Sequence, residues 1–370
     1  MKRILAFALA LLMTVSLFTA CSGSGDPGGS TTAAPSRETV STEARTEPVP
    51  ETTEPAPAGE LALPVPAGVT GAEDNARVFY EIFVGSFSDS DGDGVGDLRG
   101  IINRMDYLND GDEASGKSLG VEGLWLSPIY PSNSYHKYDC NDFYDVDKSF
   151  GTLEDLKELT ELCHARNVKV ILDLAINHTS RSHPWFNAFV TAHRQGLTDD
   201  PYYDFYSYYT EGESAPAGRA FSKLSGTDIY YECNFYDGMP ELNYDNEAVR
   251  QAVLDVAKFW LNLGVDGFRF DAAKYIYFGD NQKSVDFWVW YMDQLRAIRP
   301  DVYAVAEVWD GDGITDQYFN ALNCFNFSMA MTEGLIAGTA QKGDVNRFTA
   351  YVESYLNTVG GRNPDAMICP

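Results

Sequence analysis

Beyond residue 76 the chain alternates short, nearly continuous apolar runs with longer stretches whose apolar residues recur every three or four positions. The runs VFYEIFV (78–84), VEGLWL (121–126), VKVILDL (168–174), VDGFRF (265–270) and VYAVAEV (302–308) predict strands. Apolar character at nearly every position is what strands covered on both faces need. The stretches LEDLKELTELCHAR (153–166), EAVRQAVLDVAKFWLNL (247–263) and VDFWVWYMDQLRAI (285–298) predict helices. In the first of them Leu153, Leu156, Leu159 and Leu162 fall on one helical face. Strand, helix and strand at this spacing build βαβ units and a parallel sheet. Five such strands with helices between them favour an α/β fold of the (β/α)8 TIM-barrel class over a doubly wound sheet, and no Gly-rich dinucleotide fingerprint supports the latter. One interval breaks the rhythm. From His178 to about Tyr244 the chain is rich in Tyr, Ser, Gly and Pro without a clean βα period, as expected of a functional loop or a small domain inserted after the third strand.

The first 75 residues read differently. Lys2 and Arg3 precede an apolar run, Ile4 to Phe18, of the length of a signal-peptide core and short for a membrane span. The run closes on LFTAC (17–21), which resembles the bacterial lipoprotein signal, in which the Cys, here Cys21, is lipidated and becomes the mature N-terminus. Phe18 stands where that signal usually has Leu, and a plain secretory signal is the alternative. The following segment is dominated by Ser, Thr, Pro, Glu and Gly and almost free of aromatics, so it cannot bury enough apolar surface to offset its ordering entropy. It reads as a flexible tether. The expected organisation is a signal (1–20), a tether (21–75), a first barrel segment (76–178), an inserted domain (179–244) and a second barrel segment (245–370). The expected location is the bacterial cell surface through the lipid anchor, with secretion as the alternative.

Composition narrows the partners. With 54 acidic against 27 basic residues the net charge is −27, which argues against nucleic acid, whose phosphates demand basic surface. At 44% hydrophobic the chain supports one large core. A monomer whose membrane contact runs only through the anchor fits this picture. Of the six cysteines, the five beyond Cys21 show no CxxC pair and are odd in number, so buried free thiols are expected rather than a zinc site or a disulfide framework.

Candidate chemistry gathers where strands run out. The third predicted strand ends in DLAINHTS (173–180), the fourth in GFRFDAAKY (267–275) and the fifth in AEVW (306–309). In a (β/α)8 barrel such ends carry the active site. Arg269 lies two residues before Asp271, so in a strand both side chains point the same way and Arg269 can hold Asp271 ionised. Glu307 would need a raised pKa to act as an acid near neutral pH. One ionised and one protonated carboxyl are the equipment for cleaving a glycosidic bond.

From about Arg77 to Pro370 the sequence resembles the alpha-amylase family of glycoside hydrolases, through GVEGLWLSPIY (120–130), DLAINH (173–178), MPELN (239–243), GFRFDAAK (267–274) and EVW (307–309), in the family's order. The resemblance implies a retaining mechanism with Asp271 as nucleophile and Glu307 as general acid/base. It implies that His178, Arg269, Tyr138 and His136 line the subsite gripping the scissile sugar, with Tyr138 stacked on the ring. Asp139 and Lys274 would reach the substrate as well. The irregular interval would be the domain such enzymes insert after the third strand. An alpha-glucan is the implied substrate. Ala272, smaller than the Val usual in alpha-1,6-specific relatives, points to alpha-1,4 bonds, and MPELN lies between the forms of two subgroups. The alternatives are an exo-acting alpha-glucosidase or oligo-1,6-glucosidase, and an inactive cell-surface glycan-binding fragment.

The stretch SDSDGDGVGDLRGI (88–101) places acidic residues densely enough that they repel one another without a cation between them. It is not an EF-hand, because the twelfth position from Asp89 is Gly100 rather than Glu. Hard oxygen ligands at alternate positions still point to Ca²⁺. Asp89, Asp91, Asp93 and Asp97, with the carbonyl of Val95, would be the ligands, and the resemblance to oligo-1,6-glucosidases makes the ion structural. A second calcium site of many alpha-amylases needs Asn177 and a His shortly after the nucleophile; Tyr275 stands at that position, so the second site is not carried over. The family also has a third carboxylate in an N-H-D motif and an eighth strand, whereas this sequence holds no N-H-D and ends DAMICP (365–370). The expectation is an incomplete barrel ending near strand 7, a fragment of a longer gene product. Its open sheet edges would make the 370-residue chain aggregate and lack measurable activity.

Overall fold

The computed structural model describes residues 77–112, 114–325, 345–355 and 357–358. The signal, Cys21, the tether, Cys369 and the expected strand at the chain's end lie outside the described residues. In chain order the strands are β1 (Phe79–Ile82), β2 (Gly123–Leu126), β3 (Lys169–Leu174), β4 (Tyr208–Thr210), β5 (Phe221–Lys223), β6 (Ile229–Glu232), β7 (Gly267–Phe270), β8 (Tyr303–Glu307) and β9 (Asn323–Phe325). Six of them form one sheet in the order β1-β2-β3-β7-β8-β9, every neighbouring pair parallel. These are successive staves of a (β/α) barrel, and among the described residues the sheet is not closed. The five apolar runs are the first five staves, each shorter than its run. β9 was not foreseen: three residues, NCF, one of them polar, carry no apolar period.

The helices are α1 (Leu98–Asn103), α2 (Leu153–His164), α3 (Pro184–Gln195), α4 (Glu247–Asn262), α5 (Asn281–Ile298), α6 (Asp312–Tyr318) and α7 (Asn346–Tyr355), with single turns at Val84–Phe87 and Met105–Leu108. α2 starts where Thr152 and Asp155 form a capping box, each side chain satisfying the other's backbone N–H. Leu156 and Leu159 are buried, while Leu153 and Leu162 flank the same core partly buried, as the stripe predicts. α5 begins four residues before its apolar period, because Asp280 caps Lys283.

Outside the parallel sheet, β4, β6 and β5 pair antiparallel in the interval read as irregular. α3 also lies there, a correction to the expectation of no regular period. Its signals are Pro184 in the first turn, a His183 cap on Trp185 N–H, and Gly196 in the left-handed region at φ 66°. The main core lies between the sheet and its helices. A smaller cluster of Ile171, Tyr303 and Val305, with Phe79 and Trp125 against it, alternates with main-core neighbours along β3 and β8 and so fills the sheet's other face. Cys140, Cys163, Cys233 and Cys324 are buried free thiols.

Candidate active site

The site is built on that inner face. Trp125 on β2, Asp173 on β3, Arg269 on β7 and Glu307 on β8 share it by the two-residue alternation, and Asp173 sits directly across from Arg269 in the strand register. Arg269, with its side chain 3% exposed, is the hub. Its Nη1 donates to both Asp173 oxygens at 2.8 and 3.0 Å and to Asp271 Oδ1 at 2.6 Å. Its Nη2 donates to Glu307 Oε2. The guanidinium also lies over the Trp125 ring, 5.1 Å from its centroid. Burial works against the Arg269 charge, but Asp173, Asp271, Tyr138 and Glu307 hold its pKa above the ordinary value.

One cation facing three carboxyls leaves room for a proton. Burial pushes the Glu307 carboxyl up to about 7; Arg269 opposes this, and Asp271 and Asp173 add to the rise. Burial likewise pushes Asp173 up to about 7 against Arg269. Geometry decides between them. Asp173 is surrounded by donors: Arg269 on both oxygens, Tyr138 Oη at 2.9 Å and Trp125 Nε1 at 3.3 Å. Donors from three side chains favour the charged form of Asp173, whereas among the described residues Glu307 receives Arg269 alone, so the proton belongs to Glu307. Asp271 and Glu307 thus sit side by side on one guanidinium, with the raised pKa on Glu307. Asp271 is followed by a sharp turn, with Ala272 in the left-handed region at φ 47° and ψ 45°.

The remaining expected site residues fall around this centre in different ways. Tyr138 reaches it through its hydroxyl bond to Asp173. His178 is buried and lies beside it: Nε2 donates to the Tyr138 carbonyl at 3.2 Å and Nδ1 accepts from Asn177 Nδ2 at 2.7 Å. Burial lowers the His178 pKa, so the ring is the neutral Nε2–H tautomer. His136 is exposed and accepts the Tyr138 N–H on Nδ1 at 3.1 Å, its ring 5.9 Å from the Tyr138 ring. Asp139 is buried and turned to Ser132 Oγ at 2.6 Å, to Ser134 Oγ and to Tyr236 Oη at 3.4 Å; it organises the 132–139 loop. Lys274 pairs with Asp310 at 3.0 Å.

Asp173, Trp125 and Phe235 were not foreseen as site residues. Asp173 had a signal, a lone carboxylate inside the apolar run VKVILDL. Phe235, 44% exposed, lies 5.2 Å from the His178 ring and 4.8 Å from the Tyr275 ring.

The acidic loop lies between the first turn after β1 and α1. Carboxylate oxygens of Asp89, Asp91 and Asp97 come within 4.8 Å of one another. Asp93 is outside that group and accepts the Val95 N–H at 2.7 Å. Asp97 already caps α1 through the Gly100 N–H at 2.6 Å. Gly92 and Gly94 adopt φ 86° and 92°, the left-handed backbone that lets the loop wrap.

Comparison with known proteins agrees with this geometry. A sequence model described as the alpha amylase catalytic domain matches residues 81–354. "Alpha-amylase 3" of Dictyoglomus thermophilum is 41% identical over 288 residues, covering 78% of this chain and 54% of that protein. An "Oligo-1,6-glucosidase" of Bacillus cereus is 42% identical over 208 residues, 54% of this chain and 35% of that protein. The solved structure of Eubacterium rectale Amy13B superposes with a TM-score of 0.69 at 34% identity, covering 80% of this chain and 57% of that one. The chain therefore spans about half the length of such relatives.

Proposed function

Since the chain belongs to the alpha-amylase catalytic-domain family, we propose that it is the catalytic part of a retaining glycoside hydrolase acting on alpha-1,4 bonds of starch, maltodextrins or related alpha-glucans. The observation that carries this reading is the shared guanidinium. Arg269 binds Asp271 through one Nη and Glu307 through the other, the close pairing of carboxyls that a retaining reaction uses.

Asp271 attacks the anomeric carbon and forms a glycosyl ester while Glu307 gives its proton to the departing glycosidic oxygen. Glu307, now a carboxylate, takes a proton from water, the water oxygen bonds to the anomeric carbon, and the ester bond to Asp271 breaks. Arg269 pairs with the Asp271 carboxylate before it attacks and again once the ester bond breaks. His178 offers its Nε2–H to a sugar hydroxyl in place of the Tyr138 carbonyl. Tyr138 supplies a ring against which the sugar's C–H face packs, with His136 and Lys274 at the rim. Phe235 with Tyr275 against it, and the 61% exposed Trp309 two residues after Glu307, offer aromatic surface for further glucose units, which favours cleavage within a chain.

Incubation of the whole gene product, here the parent, with maltoheptaose tests both levels. Early products of mixed length are expected from the parent and none from Asp271→Asn. Glucose alone as the early product favours the exo reading, for which the similarity to an "Oligo-1,6-glucosidase" speaks. Binding without cleavage by the parent removes the hydrolase.

The acidic loop fits a calcium ion by its donors, all hard oxygens, three of them already gathered. Asp89, Asp91 and Asp97 would hold it, with Asp93 and the Val95 carbonyl completing the set. The ion would cancel their repulsion and staple the loop to α1. For location we infer lipid anchoring at Cys21, which mass spectrometry of the mature N-terminal peptide tests; an unmodified Cys21 or cleavage elsewhere favours secretion.

A further inference from the structure

A polar cavity of about 140 Å³ lies where the antiparallel sheet faces the segment that follows the nucleophile, lined among others by Arg219, Glu232, Glu241, Tyr275, Phe278 and Lys283. The mechanism above gives it no part. Arg219, on the connection between β4 and β5, spans it. Its Nη1 donates to the buried carboxylate of Glu232 on β6 at 3.0 Å, and its Nη2 donates to the carbonyl of Phe278 at 2.9 Å.

Phe278 ends the stretch that begins at Asp271. That stretch opens on Ala272 in left-handed backbone, a conformation unfavourable for any residue with a Cβ and kept only where the surroundings over-determine it. From the barrel side it is held by Trp288 Nε1 on the Ala273 carbonyl at 2.9 Å, by Ser284 Oγ on the Tyr277 N–H at 3.2 Å, and by Tyr277 Oη on the Tyr244 carbonyl at 2.7 Å. From the antiparallel sheet's side come the Phe235 ring against Tyr275 and the Arg219 fork. The fork is the polar and directional one of the two. A planar guanidinium fixes two acceptors at once, one of them charged, which a flexible ammonium cannot reproduce.

The geometry points to Arg219 as a positioning residue for Asp271: it transmits the docking of the inserted sheet to the turn behind the nucleophile, so that turnover depends on a side chain that touches no substrate. The inference rests on the proposed glycosidase reaction, and its test includes one readout that needs no turnover.

Arg219→Met is compared with the parent protein by steady-state kinetics on a maltodextrin and by amide hydrogen exchange. Misplacing a reacting group slightly is costly, so kcat is expected to fall about 10- to 100-fold while KM stays within about twofold. Exchange should quicken across residues 272–278 and not in β1–β3. Millimolar guanidinium should restore part of the lost kcat in Arg219→Met by entering the vacated fork, and do nothing for the parent. Unchanged kcat and unchanged exchange at 272–278 overturn the inference. So does a loss of activity with exchange raised throughout and no rescue, which marks a merely structural residue. Should Arg219→Met not fold, Arg219→Lys carries the test: one ammonium cannot hold both acceptors, an intermediate kcat is expected, and full kcat overturns the inference. A parent without hydrolysis removes the glycosidase reading, while the exchange comparison still decides the role of Arg219 in holding the turn.

Discussion

Asp173, Asp271 and Glu307 place three carboxyls around one buried guanidinium, so a single side chain sets the protonation of the site. Replacing Arg269 by Met leaves those carboxyls without their cation. A loss of about 3–5 kcal/mol in unfolding free energy is expected, measured by urea denaturation, together with loss of turnover. In the proposed reaction the Glu307 carboxyl, raised to about 7 by burial, sets the pH dependence. The acid is present below that value and is lost above it, so kcat/KM should fall as pH rises through about 7. In Glu307→Gln this limb should vanish and the rate drop about 10²- to 10⁴-fold. Stability has the same sign, because the native state keeps a proton that an unfolded Glu would release near its ordinary value, so stability declines as pH climbs toward 7. Asp271, Glu307 and Arg269 were legible in the sequence because polar residues at the ends of apolar strands are costly unless they act together. Asp173 carried the same mark but no role, since its role is defined by Tyr138, Trp125 and Arg269, which come from three other segments.

At the scale of elements, strand pairing sets the distance between the two carboxyls proposed to act. Gly267 faces Tyr303 where β7 and β8 pair, and a Cβ there would sit 1.8 Å from the Tyr303 carbonyl oxygen. Gly267→Ala must push the strands apart, moving Asp271 relative to Glu307. Destabilisation at the upper end of about 1–3 kcal/mol is expected, with activity lost in the fraction still folded; thermal melting beside a rate assay checks this. The strands and helices of the barrel were readable because their periods are set by burial on one or both faces. α3 was missed because its stripe is aromatic, Phe186 and Phe189, inside a stretch where aromatics occur on every side. The β4–β6 sheet escaped for a related reason: its strands are three or four residues long, too short for alternation to show.

The whole molecule carries a net charge of −27, and its acidic loop concentrates part of that repulsion beside α1. A bound Ca²⁺ would relieve it without touching the catalytic carboxyls. Adding Ca²⁺ to chelator-treated protein should raise the melting temperature with little change in kcat at saturating substrate, and Mg²⁺ should not substitute. In the double variant Asp89→Asn, Asp91→Asn the calcium-dependent rise should disappear. The loop was legible as a cluster of carboxylates, but Asp93's turn toward the Val95 N–H was not, because alternate spacing alone does not say which carboxylates converge. The barrel class and the family were readable from five ordered motifs, and the sheet order and the family match agree with both.

The proposed retaining reaction rests on two carboxyls that share one guanidinium, too close in that reading for a water between carboxylate and sugar. The most direct measurement is the proton NMR spectrum of the first sugar released from maltoheptaose, recorded before its anomers equilibrate. An initial α-anomer is the result expected of Asp271 attack followed by water; an initial β-anomer would contradict it.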